Sequence, residues 1–561
     1  MFSTRSKRRL AAAAAAVLAA PLLWFATSGS SQAAAAVPAK DWLHVQGNQI
    51  LDQAGNPVWL TGANWFGFNA GERVFHGLWS ANLTEVTKSM ADRGINLVRV
   101  PISTQLLLEW KAGQAAVSSG VNTYANPELA GKTTLEVFDA FLALCERYGM
   151  KVLLDVHSAE ADNSGHVYPV WYKGAVTPEL FYQAWEWVAQ RYRTNDTLVA
   201  MDVKNEPHGR PNESPRAKWD SSSDVDNFKN TCQTAGRRIL AINPDVLILC
   251  EGIEVYPKDG VSWSSTDGKT YDNVWWGANL RGVRDHPVDL GANQDQLVYS
   301  PHDYGPLVYE QPWFAKPFDK ASLTADVWTP NWLYVHDSNI APLLVGEWGG
   351  RLGQDARQDR WMTALRDLIV EKRLHQTFWV LNPNSGDTGG LLLDDWKTWD
   401  EQKYAMLKPA LWQYGGKFVS LDHQVPLGGA GSSTGISLAA RYGGGVEPST
   451  PVPSSSSTPN PPAGACGATY TQTSAWSGGF QGEVTIRNTG TTAGRAWTAT
   501  WTYPSGTTVA SLWNGVLSTA GTAVTVRNAA HNGTLAAGAS TSFGFVGSGP
   551  AATPVITCAL T

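Results

Sequence analysis

The segment LVAMDVKNEP, residues 198–207, is an apolar run that ends in polar side chains. Seven other segments have the same form. Continuous runs of this kind are typical of parallel strands buried on both faces. The eight predicted strands are VWLTGANWF (58–66), INLVRVPI (95–102), KVLLDVHS (151–158), LVAMDVKNEP (198–207), VLILCEG (246–252), QLVYSPHDY (296–304), PLLVGEWGG (342–350) and QTFWVLNP (376–383).

Segments with helical periodicity lie between many of these strands. An eightfold alternation of strand and helix predicts an α/β fold of the (β/α)8 TIM barrel type. No GxGxxG follows the first strand and the chain has no Walker-type loop, which disfavours a doubly wound nucleotide-binding sheet. The predicted helices are LTEVTKSMADRG (83–94), LEVFDAFLALCERYG (135–149), FYQAWEWVAQRY (181–192), NFKNTCQTAGRRILAI (227–242) and RWMTALRDLIVEKR (360–373).

The end of the chain has a different pattern. Residues 443–464 are rich in Pro and Ser, a composition that cannot form a packed core and is typical of a linker. Residues 465–561 contain short alternating segments and many turn residues, which predict an all-β, antiparallel sandwich. We therefore expect a catalytic barrel domain over 37–420, a linker over 443–464 and a small module over 465–561.

The beginning of the chain has the order of an export signal. Arg5, Lys7, Arg8 and Arg9 precede an apolar run, and small residues continue to Ala36. This arrangement predicts a signal peptide over residues 1–36, a secreted protein and no membrane anchor after cleavage. The formal net charge is −6 and no later segment is strongly basic, so a nucleic-acid partner is not expected. We expect a monomer.

The chain has five cysteines, and secretion would permit disulfides. Cys466 and Cys558 lie near the two ends of the module, where a disulfide would hold a small β domain together. Cys232 and Cys250 can pair if their helix and strand are neighbours. Cys145 would then remain unpaired, within a helical segment whose pattern is that of a core.

Polar and aromatic residues concentrate at the carboxyl ends of the predicted strands, where barrel enzymes place their active sites. Two glutamates, Glu206 after the fourth strand and Glu347 after the seventh, would face each other across the barrel mouth. Retaining glycoside hydrolysis needs such a pair, with one acid/base and one nucleophile. The accompanying candidates are Arg99, His157, Asn205, His302, Tyr304 and Trp379.

The residues around the pair suggest the two roles. Asn205 precedes Glu206 and could hold a sugar 2-hydroxyl, so Glu206 is the candidate acid/base. Arg99 and Tyr304 are the natural donors to keep Glu347 ionised as the nucleophile. The chain contains 26 Trp, more than a core of this size requires, and an indole face can stack on a sugar ring.

The stretches LVRVP, MDVKNEPHG, YSPHDYGP, LVGEWGG and FWVLNPNSGDTGG resemble bacterial endoglucanases of glycoside hydrolase family 5, clan A, over roughly residues 40–415. The resemblance implies Glu206 as acid/base and Glu347 as nucleophile, with the six accompanying residues at the family's other active-site positions. Trp65 and Trp276 are weaker candidates for sugar platforms. The segment SAEADNSGHVYPVWY (158–172) looks longer than its counterparts in related enzymes and should border the cleft.

The C-terminal region resembles family 2 carbohydrate-binding modules in SAWSGGFQGEVTIRNTG, ASLWNGVLSTAGTAVTVRNAAHNGTLAAG and FGFVG. Such modules bind crystalline cellulose through three exposed aromatic residues. Trp476 and Trp513 match two of these positions, and His531 occupies the third, so we expect weaker binding than is typical of the family. Trp497 and Trp501 alternate along one strand and are expected to pack in the core.

These features together predict a secreted endo-β-1,4-glucanase that acts on cellulose and needs no cofactor or metal. Two alternatives remain at this stage. The same mechanism could act on β-1,4-mannan or on a mixed-linkage glucan, because related clefts differ mainly in their loops. The protein could also be a non-catalytic carbohydrate-binding protein. The sequence has no HExxH, CxxC or GxSxG motif, so a zinc protease or an α/β-hydrolase lacks its signature.

Overall fold

The structure is a computed structural model that describes residues 40–443 and 466–560, except for 477, 504, 505, 521, 530, 531, 551–553 and 555. The predicted signal peptide and residues 444–464 of the predicted linker lie outside the described residues. The chain divides into two compact units, one containing the predicted barrel and the other the C-terminal module.

Eight parallel strands form the predicted barrel. Seven of the junctions between neighbours are strand pairs, and β6 and β7 are joined by the isolated bridges Tyr299–Leu343 and His302–Glu347. The strands are buried along their whole length, which explains their continuous apolar runs. They are β1 (Thr61–Asn64), β2 (Leu97–Ser103), β3 (Lys151–Ser158), β4 (Leu198–Asp202), β5 (Leu247–Cys250), β6 (Leu297–Tyr299), β7 (Leu344–Val345) and β8 (His375–Phe378).

The five predicted helices are present as α1, α3, α4, α5 and α6, whereas α2, α7 and α8 were not predicted. Several helices begin at a side-chain cap. Thr133 and Glu136 form a reciprocal capping box at the start of α3, and Thr177 caps α4 ahead of a proline. These caps bind amide groups that the first helical turn leaves unpaired. The helices are α1 (Leu83–Asp92), α2 (Thr104–Lys111), α3 (Thr134–Arg147), α4 (Pro178–Arg191), α5 (Phe228–Leu240), α6 (Ala356–Lys372), α7 (Glu401–Leu407) and α8 (Leu438–Tyr442).

Two connections depart from a regular alternation. Between β5 and β6, the described residues form a small hairpin, Val255–Pro257 with Tyr271–Asn273, and short turns of 3-10 helix instead of an α-helix. Between β6 and β7, the helical path runs through Lys320–Leu323, a wide π-type segment Thr324–Leu333 and Tyr334–Asp337. The remaining short strands are Leu43–Gln46, Gln49–Asp52, Gln413–Tyr414, Lys417–Val419 and Gly435–Ile436.

The barrel unit continues beyond the predicted boundary at residue 420. Leu421, Leu427 and Leu438 are buried in the same core as the barrel strands. His423 also fixes this extension to the start of the unit. Its Nδ1 lies 2.5 Å from Asp41 and its Nε2 lies 3.1 Å from Asp52. The sequence pattern did not include this segment because it has little regular secondary structure despite its buried side chains.

We expect this link to make stability depend on pH. Burial lowers the pKa of His423, but the hydrogen bonds and charges of Asp41 and Asp52 outweigh it and raise this pKa from 6.5 to about 9.

 Asp41 and Asp52 both accept from the imidazole, so the charged form is favoured in the folded state. The resulting stabilisation is complete below pH 6.5 and is lost as the pH rises through 9, and it amounts to about 2 kcal/mol after allowance for solvent screening.

The measurement is the free energy of unfolding between pH 6 and pH 9.5. His423→Gln should be less stable than the unchanged protein at pH 6 and should lose less stability as the pH rises. Parallel curves for the two proteins would contradict the prediction.

The structure decides the pairing of the barrel unit's cysteines, which the sequence left open. Cys232 in α5 and Cys250 at the end of β5 form a disulfide, and Cys145 is free and buried in α3. None of the described helices is long and apolar enough to cross a membrane.

The C-terminal module contains two four-stranded antiparallel sheets, in agreement with the predicted sandwich. One sheet has the order β9-β10-β15-β12 and the other β13-β14-β11-β16, and the disulfide Cys466–Cys558 joins β9 to β16. The strands are β9 (Cys466–Trp476), β10 (Gly479–Asn488), β11 (Trp497–Thr502), β12 (Thr508–Trp513), β13 (Gly515–Ala520), β14 (Ala523–Asn528), β15 (Ser540–Ser548) and β16 (Thr557–Leu560).

The aromatic residues of the module separate into core and surface. Trp497 and Trp501 are buried and stack on Phe543 and Phe545, as the sequence predicted. Trp513 is 42% exposed and lies against Gly544 of the neighbouring strand. The side chain of Trp476 and the whole of His531 are outside the described part of the module, so their predicted roles stay predictions.

Candidate active site

A cavity of about 660 Å³ opens at the carboxyl ends of the barrel strands. Its lining includes both candidate glutamates and a large share of aromatic side chains. Asn163 and His166 also line it, so the segment 158–172 borders the cleft as predicted. The sequence-predicted residues that line the cavity are His157, Glu206, Trp276, Tyr304, Glu347 and Trp379.

Glu206 follows β4 and Glu347 follows β7, and the two carboxyl groups meet in the cavity. An oxygen of Glu206 and an oxygen of Glu347 lie within 4.8 Å of each other. Retaining glycosidases have about 5–5.5 Å between their two carboxyl groups, whereas inverting ones need about 6.5–9.5 Å to admit a water. The spacing is that of a retaining pair.

Two donors converge on Glu347. Arg99 Nη1 lies 2.8 Å from Oε1, and the Tyr304 hydroxyl donates to Oε2 at 2.6 Å. Arg99 is fully buried at the third position of β2, further into the barrel than the strand end where the sequence placed it. The Arg99 guanidinium therefore contacts Glu347 from the barrel interior, and the Tyr304 phenol contacts it from the side of the cavity.

Glu206 has a different set of partners. His302 Nδ1 lies 3.1 Å from Glu206 Oε1, and the Glu206 amide donates to Glu251 Oε2 at 2.6 Å. The second ring nitrogen of His302 lies 3.2 Å from Glu251 Oε1. Glu251 was missed by the sequence reasoning, although its position directly after β5, in VLILCEG, was a usable signal.

The charges in the site are strongly coupled. Burial opposes ionisation of Glu206, but the hydrogen bond and charge of His302 outweigh it and lower the pKa of Glu206 to about 2. Burial raises the pKa of Glu347 to about 8 against the charges of His302 and Arg99. Glu251 and Glu347 outweigh the burial of His302 and raise its pKa well above the ordinary value. In the unliganded site, His302 therefore carries a proton beside an ionised Glu206.

More buried carboxyl groups surround Arg99 than the sequence indicated. Asp155, Asp202 and Glu251 each lie within 3.2 Å of the guanidinium, in addition to Glu347. Burial raises the pKa of Asp155 and of Asp202 to about 6. Arg99 is thus the shared counter-ion of the barrel interior, and its loss would leave several acidic groups without their cation.

Aromatic rings form one wall of the cavity. The Trp379 ring is nearly parallel to the rings of Phe66 and His157, and its centroid lies 5.7 Å from each of theirs. Burial and the charge of Arg99 lower the pKa of His157 well below its ordinary value, so this ring is neutral. Its Nδ1 lies 2.6 Å from Asp155, which fixes its orientation. The wall presents flat, uncharged faces of the kind that stack on sugar rings.

Trp276 lines the cavity on the side of Glu206. Its ring is stacked on His208, with centroids 3.7 Å apart and planes within 5°. Trp65, the other candidate platform, is only 1% exposed, stacks on Phe75 and donates to the carbonyl of His76. The prediction for Trp65 was wrong because its side chain points into the core, and the adjacent Phe66 reaches the cavity instead.

Asn205 lies behind Glu206 and is fully buried. Its Oδ1 accepts from Arg99 Nη2 at 3.0 Å, and its Nδ2 has no hydrogen-bond partner among the described residues. The side chain is therefore oriented by Arg99, with one donor left over. The predicted contact with a sugar hydroxyl stays a prediction.

The same site contains the candidate metal ligands of the described residues. Glu206, His302 and Glu347 each offer one atom within 4.8 Å of the others. Both ring nitrogens of His302 already face carboxylates, however, and its raised pKa favours the protonated form, which cannot ligate a metal. The prediction that the site works without a metal or cofactor stays a prediction.

A parallel eight-stranded barrel with two carboxyl groups at this spacing, in an aromatic-lined cavity, defines a glycoside hydrolase. Residues 51–385 match the cellulase family, glycosyl hydrolase family 5, and residues 466–561 match the cellulose binding domain. The chain belongs to glycosyl hydrolase family 5, whose members act with retention, and carries a C-terminal cellulose-binding module.

Curated relatives span most of the chain. Endoglucanase G of Acetivibrio thermocellus is 48% identical over 75% of this chain and 81% of its own length. The major extracellular endoglucanase of Xanthomonas campestris is 32% identical over 91% of this chain and 96% of its own. A solved complex of an endocellulase variant from Pyrococcus horikoshii with cellotetraose is 31% identical and covers 66% of this chain and 98% of its own, with a TM-score of 0.58.

Proposed function

We propose that the protein is a secreted endo-β-1,4-glucanase in which Glu347 is the nucleophile and Glu206 the acid/base. The observation that carries the proposal is the carboxyl pair, within 4.8 Å, inside a cavity walled by aromatic rings. The three relatives described above are two endoglucanases and an endocellulase by name, which supports the same substrate class. The donors at Glu347 distinguish the two carboxyl groups, since Arg99 and Tyr304 both stabilise its ionised form.

In the first step, Glu347 attacks the anomeric carbon while Glu206 protonates the departing glycosidic oxygen. The bond from the anomeric carbon to that oxygen breaks, and a glycosyl ester of Glu347 forms. In the second step, Glu206 removes a proton from water, which attacks the same carbon and releases the sugar with its original configuration.

The first step needs a protonated Glu206 and an ionised Glu347, which is not the distribution in the unliganded site. His302 can supply the proton to Glu206 across their 3.1 Å contact. Glu347 then passes its own proton to His302, whose Nδ1 lies 3.7 Å from Glu347 Oε2, so the net change is one proton moved from Glu347 to Glu206. Arg99 and Tyr304 continue to donate to the ionised Glu347. We infer that substrate binding brings about this redistribution, because a glycosidic oxygen beside Glu206 can accept a hydrogen bond only from the protonated form of this carboxyl group.

The aromatic wall and Trp276 support a polysaccharide substrate. Trp379, Phe66 and Trp276 line the same cavity as the carboxyl pair, and aromatic rings of this kind can hold the sugar units of a long chain. The choice between glucan and mannan depends on the orientation of single hydroxyl groups, which loop residues such as Asn163 and His166 would contact.

The test is reducing-sugar release from carboxymethylcellulose, barley glucan and glucomannan, with Glu347→Gln as the matched control. Turnover of the two glucans that is absent from the control supports the endoglucanase. Turnover restricted to glucomannan would keep the mechanism and change the substrate to mannan. No turnover of any substrate would favour a non-catalytic carbohydrate-binding protein.

The C-terminal module is proposed to hold the enzyme on cellulose. Trp513 supports this role because its indole lies against Gly544, where no Cβ intervenes, and keeps a large exposed area. A module of this kind raises the local concentration of the barrel at an insoluble surface without contacting the reacting bond.

We expect Trp513→Ala to lower the affinity for microcrystalline cellulose about tenfold, because one stacking surface is lost. Hydrolysis of soluble carboxymethylcellulose should be unchanged. Tyr124→Ala is the matched control, since Tyr124 is 95% exposed on the barrel unit. The measurement is a depletion isotherm, and equal isotherms for the Trp513 variant and the control would contradict the assignment.

The remaining parts of the proposal concern the chain as a whole. The extracellular name of one relative and the cellulose-binding module support an enzyme that acts outside the cell. Secretion through a signal peptide over residues 1–36, a linker over 443–464 and a monomeric state are proposed from the sequence. The catalytic domain is proposed to extend from residue 37 to Gly443, because buried side chains continue beyond 420.

A further inference from the structure

Glu251 is a buried carboxyl group that the mechanism above does not use. It follows β5 directly and its side chain is completely buried. Its Oε2 accepts the Glu206 amide at 2.6 Å and its Oε1 accepts from Arg99 Nη2 at 3.1 Å. Oε1 also lies 3.2 Å from His302 Nε2. Glu251 thus contacts the main chain of Glu206, the imidazole of His302 and the guanidinium of Arg99.

The main chain of Glu206 needs such a restraint. Its φ is 47°, in the left-handed region that residues other than glycine and asparagine seldom adopt. A backbone in this conformation persists only where its surroundings hold it. The hydrogen bond from the Glu206 amide to Glu251 is short and charge-assisted, and it is made by the strained residue itself.

Gly277 closes the other side of Glu251. A Cβ on Gly277 would lie 2.3 Å from Glu251 Oε2 and 3.5 Å from the Glu206 Cα. The carbonyl of Gly277 also accepts the amide of Gly252, next to Glu251, at 2.7 Å. The carboxylate is therefore confined between the Glu206 amide and a glycine that leaves just enough space for it.

We propose that Glu251 is a positioning residue for acid/base catalysis, which fixes the Glu206 main chain and His302 so that the Glu206 carboxyl faces the glycosidic oxygen. This inference rests on the proposed role of Glu206. Loss of the Glu251 carboxylate impairs proton transfer to the leaving group more than attack by Glu347. The reason is that Glu251 contacts the Glu206 amide and the imidazole of His302, which in turn contacts the Glu206 carboxyl group.

The test compares two aryl β-cellobiosides. A 2,4-dinitrophenolate departs without a proton, whereas a phenolate needs one from Glu206. The value of kcat/KM reports the steps up to formation of the glycosyl ester, so it isolates this difference. Glu251→Gln keeps the volume of the side chain, but one of its oxygens becomes an NH2 group that faces an amide or guanidinium donor. We expect kcat/KM to decrease about 100-fold for the phenyl substrate and less than about threefold for the dinitrophenyl substrate.

Asp202→Asn is the matched control. Asp202 is equally buried, and its carboxylate lies 3.0 Å from Nε of Arg99. Asp202 therefore contacts the cation that is paired with the nucleophile Glu347. This variant should lower kcat/KM for the two substrates by the same factor. Gly277→Ala tests the inference by a second route, because its methyl group displaces the Glu251 carboxylate. Gly277→Ala should lower kcat/KM more for the phenyl than for the dinitrophenyl substrate, as expected for Glu251→Gln. If the unfolding midpoint shows that Glu251→Gln does not fold, the result for Gly277→Ala decides whether Glu251 is a positioning residue.

Glu206→Gln separates this inference from the proposed function. Unequal losses in Glu206→Gln together with equal losses in both Glu251→Gln and Gly277→Ala would overturn the positioning role and leave the acid/base assignment in place. Equal losses in Glu206→Gln would overturn the acid/base assignment itself. Unequal losses in all three variants, with equal losses in Asp202→Asn, support both.

Discussion

Glu347→Ala is expected to lower kcat on carboxymethylcellulose and on every aryl cellobioside by about 10⁵-fold, because no glycosyl ester can form. A good leaving group should not compensate, since the missing group is the nucleophile. Removal of the carboxylate also leaves a gap bounded by Arg99 and Tyr304, which are both donors that suit a small anion. Azide should therefore restore turnover of 2,4-dinitrophenyl β-cellobioside in this variant.

The configuration of the rescued product identifies the face of attack. Azide that replaces Glu347 attacks from the side opposite the leaving group and should give the α-cellobiosyl azide, which NMR distinguishes from the β form. Glu347→Gln is the control, because the amide fills the space and should not be rescued. A β-configured product, or rescue of the glutamine variant, would count against Glu347 as the nucleophile.

Glu206→Ala is expected to have the second-largest effect, and this effect should depend on the leaving group. Hydrolysis of carboxymethylcellulose should decrease about 10³-fold, within the range that general acid catalysis contributes. Formation of the glycosyl ester from 2,4-dinitrophenyl β-cellobioside should persist, because this leaving group needs no proton. The ester should then accumulate as a burst of dinitrophenolate, since the variant also lacks the base for the second step.

Azide is expected to act differently in this variant. It should attack the glycosyl ester from the face that Glu206 occupied and give the β-cellobiosyl azide. Glu254→Gln is the matched control, because Glu254 is another buried carboxyl group that lines the cavity. The control should show neither a burst nor azide rescue. Equal losses of Glu206→Ala on activated and unactivated substrates would remove its acid role.

The barrel and the catalytic pair were predictable from sequence for a physical reason. Strands buried on both faces are mainly apolar, so the polar residues that follow each run mark its carboxyl end. Glu206 and Glu347 are such residues, and the barrel closes a ring of strand ends around them. The same rule applied to VLILCEG would have found Glu251.

Other features depended on information that a sequence pattern does not contain. Trp65 and Phe66 are adjacent aromatic residues at a strand end, and only the local backbone decides which ring enters the core. The side chains of Asp155 and Asp202 converge on Arg99 from different strands, which periodicity alone cannot register. The segment after residue 420 lacks a repeating pattern, although Leu421 and Leu427 are buried.

The junction between β6 and β7 is made by separate bridges and not by a continuous strand pair. The bridge His302–Glu347 belongs to that junction, where the Asp303 amide donates to the Glu347 carbonyl at 3.1 Å and the Gly346 amide to the Pro301 carbonyl at 3.1 Å. Local opening there would separate His302 from the nucleophile while the paired strands elsewhere stay intact. A glucan that touches both sides binds only the closed wall and stabilises it. Amide exchange near Tyr299 and Leu343 should accordingly slow when an oligosaccharide binds, so that occupancy by substrate and integrity of the barrel are linked.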